Sequence, residues 1–184
     1  MSREEVVYET PPICDLMTLL LRNRRASGPY NEVWPDIYIS DASTARDKAL
    51  LRQLGISHVV NAAHGPAHID TGADFYSDVD VQYHGVEAPD NRDFDITPFF
   101  YPTASFIYKA VTQQEGKVLV HCARGVSRSA TLVLAYLMIY ERLTVAEAIE
   151  IVCVHRNILP NAGFLQQLRQ LDTTLTLQRK DEQL

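Results

Sequence analysis

The strongest constraint on the fold is a short loop that joins a buried strand to a buried helix. Residues 117–121 (KVLVH) form a compact run typical of a buried strand, and residues 129–140 are almost wholly apolar at helical length. The loop between them, residues 122–128, contains a cysteine, two arginines, a glycine and a serine. The pattern therefore predicts a strand–loop–helix unit that presents polar and ionisable groups between two apolar elements.

Periodicity along the rest of the chain indicates strands that alternate with helices and are followed by a helical half. Asp41 or Ser43 caps a helix that Gly55 ends, and Thr144 with Glu147 forms the capping box of a later helix. This alternation is typical of an α/β layer architecture around a central sheet. Residues 1–10 and 178–184 are expected to fray. The other predicted strands lie at 33–39, 56–62 and within 75–86, and the other helices at 12–23, 41–54, 97–112, 144–155 and 161–175.

The composition indicates one folded domain and excludes several classes of protein. The chain has 184 residues, 46% of them hydrophobic, which suffices for one compact core and not for two. Its formal charge of −6 argues against broad binding of nucleic acid or of an anionic membrane, but not against one small positive pocket. We expect a single domain over residues 1–184, with its core at about 31–177 and an N-terminal helix at about 12–24.

The cysteines and the apolar segments indicate the compartment. Cys14, Cys122 and Cys153 are odd in number and far apart, which argues against a disulfide framework, and no CxxC or HExxH zinc spacing occurs. The N-terminus lacks the pattern of a secretory signal. The longest apolar stretch, residues 130–140, is far shorter than the ~20 residues that cross a bilayer. We therefore expect a protein of the cytoplasm or nucleus that needs no metal and no cofactor.

Cys122 lies where local electrostatics favour a thiolate. The N–H groups of the loop can converge just before a helix begins, and this combination makes an anion site sized for a phosphate. Gly125 allows the backbone angles or the close approach that such a loop requires. The same field lowers the pKa of a thiol from about 8.5 into the range of about 3.5–7.5. Cys122 is therefore expected to act as a nucleophile without a separate general base.

Two further residues of the loop suit phosphoryl transfer. Arg128 carries a planar guanidinium that can contact two phosphoryl oxygens, and the Ser129 hydroxyl can donate to the sulfur when a phosphocysteine is hydrolysed. A cysteine and an arginine six positions apart are a weak signal alone, whereas the full H-C-x-x-G-x-S-R-S string is highly specific. The alternative is a buried cysteine in an ordinary loop, with Arg128 on the surface at the helix start.

The string at residues 121–129 resembles the phosphate-binding loop of the cysteine-dependent protein tyrosine phosphatase superfamily, with the Ser-Arg-Ser ending typical of dual-specificity members. The resemblance extends from about residue 31 to residue 165 and is closest to the small atypical, VHR-like dual-specificity phosphatases, a group that includes muscle and testis enzymes. Residues 61–64, 83–88 and 129–138 also carry it. It implies an α/β fold of the protein tyrosine phosphatase type, with a central, mostly parallel twisted sheet of about five strands flanked by helices.

The resemblance also implies a general acid, which spacing alone cannot identify. Phosphomonoester cleavage needs a proton for the leaving oxygen and later a base for the attacking water. The charged loop offers Glu87, Asp90, Asp93 and Asp95. In the family the acid lies in a short loop, and the corresponding residue in this chain is Asp90. Asp95 is better interpreted as a helix cap. The alternative is that Asp90 merely starts a turn.

Other roles follow from the resemblance in the same way. His121 would orient the loop and tune the thiolate, which is compatible with a buried core histidine. Arg156 matches a position where relatives contact a second phosphate or the peptide flank, or else it is simply a cation at a helix C-terminus. The substrate phosphate is expected to contact Ala123, Arg124, Gly125, Val126, Ser127 and Arg128.

The leading hypothesis is a metal-independent phosphatase that hydrolyses phosphotyrosine and phosphoserine/phosphothreonine in proteins through a phosphocysteine. The alternatives are a phosphoprotein-binding scaffold with little turnover, and a phosphatase for RNA, lipid or glycan phosphate. Ala123 and Val126 are neutral where lipid-directed relatives often carry lysines, which argues for protein. The expected partners are phosphorylated proteins, with mitogen-activated protein kinases and a second copy of the chain as further candidates, and neither nucleic acid nor membrane.

Overall fold

The computed structural model describes residues 6–184, and they fold around one mostly parallel sheet. Its strands, in chain order, are β1 (Tyr30–Trp34), β2 (Ile37–Ser40), β3 (His58–Asn61), β4 (Gln82–Gly85) and β5 (Val118–His121). They lie side by side in the order β1-β2-β5-β3-β4, with β1 antiparallel to β2 and the other neighbours parallel. The expected mostly parallel sheet of about five strands is therefore confirmed.

Helices cover both faces of this sheet. Val118 and Val120 of β5 join the larger hydrophobic core, while Leu119 between them joins a smaller core on the opposite face, as strand alternation requires. The helices are α1 (Ile13–Leu21), α2 (Ala42–Arg46), α3 (Lys48–Leu54), α4 (Gly72–Phe75), α5 (Phe100–Tyr108), α6 (Arg128–Tyr140), α7 (Val145–His155) and α8 (Ala162–Asp181). The smaller core is built with α2 and α3, and the larger with α1 and with α5 to α8.

The central position of α6 explains its apolar sequence. It packs against α5, α7 and α8 as well as the sheet, so every residue from Arg128 to Met138 is buried. β5, which precedes it, is buried along its whole length and pairs with β2 and β3 on its two sides. The carboxyl end of the central strand and the N-terminus of the central helix therefore meet at one edge of the sheet.

Two predicted elements are each divided in the structure. The strand predicted at 33–39 is a hairpin of β1 and β2, because Pro35 interrupts the run and Asp36 turns the chain at a positive φ of 66°. The helix predicted at 41–54 is α2 followed by α3. Asp47 leaves the helical region between them, and its carboxylate accepts a hydrogen bond from the Leu50 N–H at 3.1 Å. Asp41 caps α2 and Gly55 ends α3, as predicted.

Tyr8, Thr10 and the last turns of α8 are more ordered than the predicted fraying of residues 1–10 and 178–184 implies. α8 continues past residue 175 to Asp181, because Leu171 and Leu175 are buried against the core. Tyr8 and Thr10 donate hydrogen bonds to the buried carboxylate of Asp172, at 2.7 and 2.5 Å. Residues 1–5, where fraying was also predicted, lie outside the described residues.

The helix predicted at 97–112 is a short 3-10 turn (Thr97–Phe99), α5 and a π-helical turn (Lys109–Gln113) in succession.

Candidate active site

Cys122 emerges from β5 into the loop of residues 122–127, which ends at α6. The thiol is 3% exposed, and its Sγ atom lies 3.3 Å from the Gly125 N–H and 3.2 Å from the Ser129 hydroxyl. Burial alone would raise the pKa of the thiol, but hydrogen bonds from Ser129, Val126 and Gly125 outweigh it and lower the pKa below its ordinary value. The loop thus favours a thiolate at Cys122.

Gly125 is required by two features of this loop. Its φ is +69°, and a Cβ atom there would lie 2.5 Å from the Ser40 carbonyl oxygen at the end of β2. A larger residue would therefore be strained and would also push the loop away from the sheet. The glycine allows the loop to fold closely over the strand ends and to aim its N–H group at the sulfur.

Arg128 begins α6 with its guanidinium folded into the protein. The residue is 9% exposed, and its Nη1 donates to the Ala88 carbonyl oxygen at 3.0 Å. Within residues 6–184 its buried Nε has no hydrogen-bond partner. The first turn of α6 also receives no side-chain cap from Ser127. A buried cation and uncapped helix N–H groups beside a thiolate form a site suited to an oxyanion.

Asp90 is the carboxylate that the structure brings to the same place. One of its oxygens, Oδ1, accepts hydrogen bonds from the Ser127 hydroxyl and the Asn161 amide, both at 2.9 Å. Asp95 instead accepts from the Thr97 N–H at 3.1 Å, but the residue that precedes the following turn is Ile96, so Asp95 is not its N-cap as predicted. Glu87 and Asp93 do not line the cavity that contains Cys122.

The cavity itself has a volume of about 390 Å³ and gathers most of the predicted residues. Sequence reasoning missed its outer wall, which α1 supplies through Met17 and the segment before α8 supplies through Leu159 and Asn161. Apart from the start of a helix at residue 161, the sequence carries no signal for this wall. The predicted residues that line the cavity are Asp90, Cys122, Ala123, Arg124, Val126, Ser127 and Arg128.

Comparison with known proteins decides the family. Residues 37–174 match the model of the dual specificity phosphatase catalytic domain. The chain belongs to the dual-specificity protein phosphatases. The family and the enzyme class expected from the sequence are thereby confirmed, and the chain is a cysteine-based protein phosphatase whose partners include phosphorylated proteins.

Individual relatives agree with this assignment. The human dual specificity protein phosphatase 13B is 52% identical over 169 residues, which cover 91% of this chain and 85% of that protein, and its mouse counterpart is 50% identical with the same coverage. Human DUSP28 is a structural neighbour with a TM-score of 0.70 and 28% identity, covering 82% of this chain and 97% of that one. A mouse protein described as a dual specificity phosphatase, in complex with zinc tungstate, has a TM-score of 0.72 and 30% identity, with coverage of 86% and 96%.

His121 of the phosphatase lies beneath the loop, fully buried. Burial lowers the pKa of its imidazole to about 4, so the ring is neutral near pH 7. The neutral ring places Nδ1 3.2 Å from the Cys122 carbonyl oxygen, to which it donates. His121 therefore contacts the backbone of the cysteine and not its sulfur.

Arg156 follows the last residue of α7, and its guanidinium is buried against the phosphate loop. It is 5% exposed and its Nε donates to the Gly125 carbonyl oxygen at 2.8 Å. Its Nη1 donates to the Gly28 carbonyl and to the Asn31 side chain, both at 2.8 Å, and its Nη2 to the Arg124 carbonyl at 3.2 Å. A guanidinium with these four acceptors, three of them backbone carbonyls, braces the loop, and its predicted contact with substrate stays a prediction.

Two further observations concern metals and membranes. Among residues 6–184, no group of three or more His, Cys, Asp and Glu side chains is arranged to hold a metal ion. No helix in that part of the chain is both long and apolar enough to cross a bilayer.

Proposed function

We propose that the chain hydrolyses phosphotyrosine and phosphoserine/phosphothreonine in proteins through a phosphocysteine on Cys122. In the first step the thiolate attacks phosphorus while the bond from phosphorus to the leaving oxygen breaks, and Asp90 transfers its proton to that oxygen. Arg128 and the N–H groups of residues 123–128 hold the equatorial oxygens as charge develops on them. The dephosphorylated side chain then leaves.

In the second step, water hydrolyses the phosphocysteine. The Asp90 carboxylate accepts a proton from water, the water oxygen attacks phosphorus, and the bond between sulfur and phosphorus breaks. The Ser129 hydroxyl, at 3.2 Å, stabilises the departing thiolate. The products are inorganic phosphate, the thiolate of Cys122 and a reprotonated Asp90.

The observation that carries this proposal is the convergence of three groups on one cavity. The thiol of Cys122, with its lowered pKa, the buried Arg128 and the carboxylate of Asp90 all line it. A nucleophile, an oxyanion site and an acid are the groups that the reaction requires. The mouse relative was solved in complex with zinc tungstate, and tungstate is an oxyanion like phosphate.

The proposal is tested by turnover of aryl phosphates and of phosphopeptides with a chelator present. We expect the wild-type chain to hydrolyse phosphotyrosyl and phosphoseryl peptides, and Cys122→Ser to lose activity on the order of 10⁴-fold. A Cys122→Ser protein that turned over at the wild-type rate would refute the mechanism. Binding of phosphopeptide without turnover by the unmodified chain would favour the scaffold instead.

Finer features of the proposal rest on the family alone. We include mitogen-activated protein kinases among the candidate substrates, a homodimer as a candidate assembly, and the cytoplasm and nucleus as locations. We also propose that residues 1–184 form a single catalytic domain around the matched residues 37–174. Substrate trapping from extract with a Cys122→Ser, Asp90→Ala double variant tests the kinase substrates, and sedimentation tests the homodimer. Imaging of the tagged chain tests its location, and limited proteolysis tests the single domain.

A further inference from the structure

The loop that carries Asp90 is contacted by a helix that follows it by some seventy residues. This acid loop, residues 87–95, follows β4 at the edge of the sheet, and Arg128 also donates to its Ala88 carbonyl oxygen. Asn161, Gly163 and Gln167, all at the start of α8, contact the segment from Asp90 to Ile96.

Gln167 and Gly163 hold the backbone of this segment. The Gln167 side-chain amide accepts from the Ile96 N–H at 2.8 Å and donates to the Phe94 carbonyl oxygen at 2.9 Å, as a neighbouring strand would. Gly163 approaches the loop so closely that a Cβ atom there would lie 1.8 Å from the Arg92 carbonyl oxygen. The loop is therefore pressed against α8 on both sides of Arg92.

Asn161 connects α8 to the carboxylate itself. As the N-cap of α8 it accepts from the Phe164 N–H through Oδ1 at 2.9 Å, which leaves its Nδ2 to donate to Asp90 Oδ1. Its own N–H donates to the Ser127 hydroxyl at 3.0 Å, and that hydroxyl donates to the same Asp90 oxygen. Ser127, Asp90 and Asn161 thus form a closed ring of hydrogen bonds that joins the phosphate loop, the acid loop and α8.

We propose that Asn161 is a positioning residue for the acid step, which orients Asp90 so that its second oxygen carries the transferable proton into the cavity. Both donors converge on Oδ1, so Oδ2 is the oxygen left to hold the proton in the first step. The capping hydrogen bond fixes the orientation of the Asn161 amide, and that amide in turn fixes the orientation of the Asp90 carboxylate. This inference rests on the proposed function, since it assigns how the acid of that reaction is oriented.

The test compares two variants that keep the cap and remove the donor. Asp and Ser are both good N-cap residues, so Asn161→Asp and Asn161→Ser should preserve α8 while removing the amide from Asp90. Thr144→Ala is the control for lost capping. The Thr144 hydroxyl caps α7 by accepting from the Glu147 N–H at 3.2 Å, and it is far from Asp90 in the chain. Thermal unfolding of all three proteins shows whether the cap of α8 is kept and what the loss of the α7 cap costs.

The readout is kcat/KM for a series of aryl phosphates, together with the inhibition constant of vanadate. Misplacement of a catalytic group by about 1 Å can reduce turnover about 100-fold. We expect both Asn161 variants to lose about 10- to 100-fold on phenyl phosphate, whose phenol needs a proton, and several-fold less on p-nitrophenyl phosphate. The inhibition constant of vanadate should agree within about twofold between these variants and wild type. Any loss of kcat/KM in Thr144→Ala should be the same for phenyl phosphate and p-nitrophenyl phosphate.

Three outcomes would overturn the inference. One is wild-type kcat/KM in both Asn161 variants, and another is an equal loss on every substrate, which indicates a merely structural role. A third is a parallel loss of vanadate binding, because the phosphate loop would then be the damaged part. If wild type fails to turn over any aryl phosphate, or Cys122→Ser matches it, the proposed function fails and the inference falls with it.

Discussion

The phosphate loop and the acid loop meet in one cavity, but the contacts to their functional groups come from different distances along the sequence. The phosphate loop is contiguous in sequence with the strand and helix that shape it, and the Gly125 N–H and Ser129 hydroxyl reach the sulfur from within seven residues. The acid loop depends on Asn161, 71 positions after Asp90. The groups that contact the sulfur are thus local in sequence, although Arg156 also holds the loop, whereas the carboxylate of Asp90 is oriented by residues that are distant in sequence.

Among the variants that compare the two loops, the largest effect is expected from Arg128→Ala, which removes the cation of the phosphate loop. Loss of one preorganised donor to a developing oxyanion reduces turnover about 10²–10³-fold, and the charge adds to this. We expect kcat/KM on the same aryl phosphates to fall by about 10³-fold even for good leaving groups, and the lost contact with the Ala88 carbonyl oxygen of the acid loop adds to the fall for poor ones. A fall confined to poor leaving groups would contradict the role of Arg128 as the cation of the phosphate loop.

The same division explains what could be predicted from sequence. The strand, the loop of Cys122 and Arg128, and α6 are consecutive, so their residues and order predict the anion site directly. Asp90 required the family resemblance, because four carboxylates in one loop are equivalent by spacing. The contacts of Asn161 could not be predicted, since nothing local distinguishes a helix cap that also donates to a distant carboxylate.

For the fold too, the elements that local sequence determines were predicted more accurately than those that depend on turns or distant contacts. The central strand and helix were predicted within one residue because burial imposes an apolar run on each. The hairpin of β1 and β2 was missed because the turn at Pro35 and Asp36 lies inside a run that is otherwise typical of one strand. The length of α8 was underestimated because its C-terminal turns are mostly polar, and its stability depends on Leu171 and Leu175 packing into the core.

A second prediction concerns the burial of His121 beneath the phosphate loop. Burial lowers the pKa of its imidazole from the ordinary 6.5 to about 4, so the unfolded chain binds more protons between these values. The free energy of unfolding should therefore fall by about 3 kcal/mol as the pH drops from 6.5 towards 4. Urea titrations across this range should show a weaker dependence in His121→Asn.

The comparison with His121→Asn separates the contribution of His121 to the pH dependence of stability from that of His84. Burial also lowers the pKa of His84, so His84 contributes with the same sign in both proteins. Asn retains a donor close to the position of Nδ1 and does not titrate, which leaves the Cys122 carbonyl paired. Parallel pH profiles for the two proteins would show that the phosphate loop does not keep its histidine neutral.

A third prediction acts on the acid loop alone. In Gly163→Ala, the new Cβ would lie 1.8 Å from the Arg92 carbonyl oxygen, so the loop must move away from α8 and take Asp90 with it. We expect kcat/KM on phenyl phosphate to fall by up to about 100-fold, while vanadate inhibition stays near its wild-type value. Gly28→Ala is a suitable control, since its Cβ would meet only the Tyr30 carbonyl oxygen at an ordinary 3.7 Å. An unchanged rate in Gly163→Ala would mean that α8 does not position the acid.

The smallest effect is expected from Arg156→Lys, and it decides between bracing and substrate contact. A lysine ammonium cannot reach the acceptors of residues 28, 31, 124 and 125 that the guanidinium contacts together. If Arg156 braces the loop, the free energy of unfolding should fall by about 1–2 kcal/mol, and kcat/KM should fall by a similar factor for aryl phosphates and for phosphopeptides. If Arg156 instead contacts the substrate, stability and aryl phosphate turnover should stay near wild type, while KM for a doubly phosphorylated peptide rises. Melting curves and the ratio of the two kcat/KM values therefore separate the two roles, and the hydrogen bonds to the loop favour bracing.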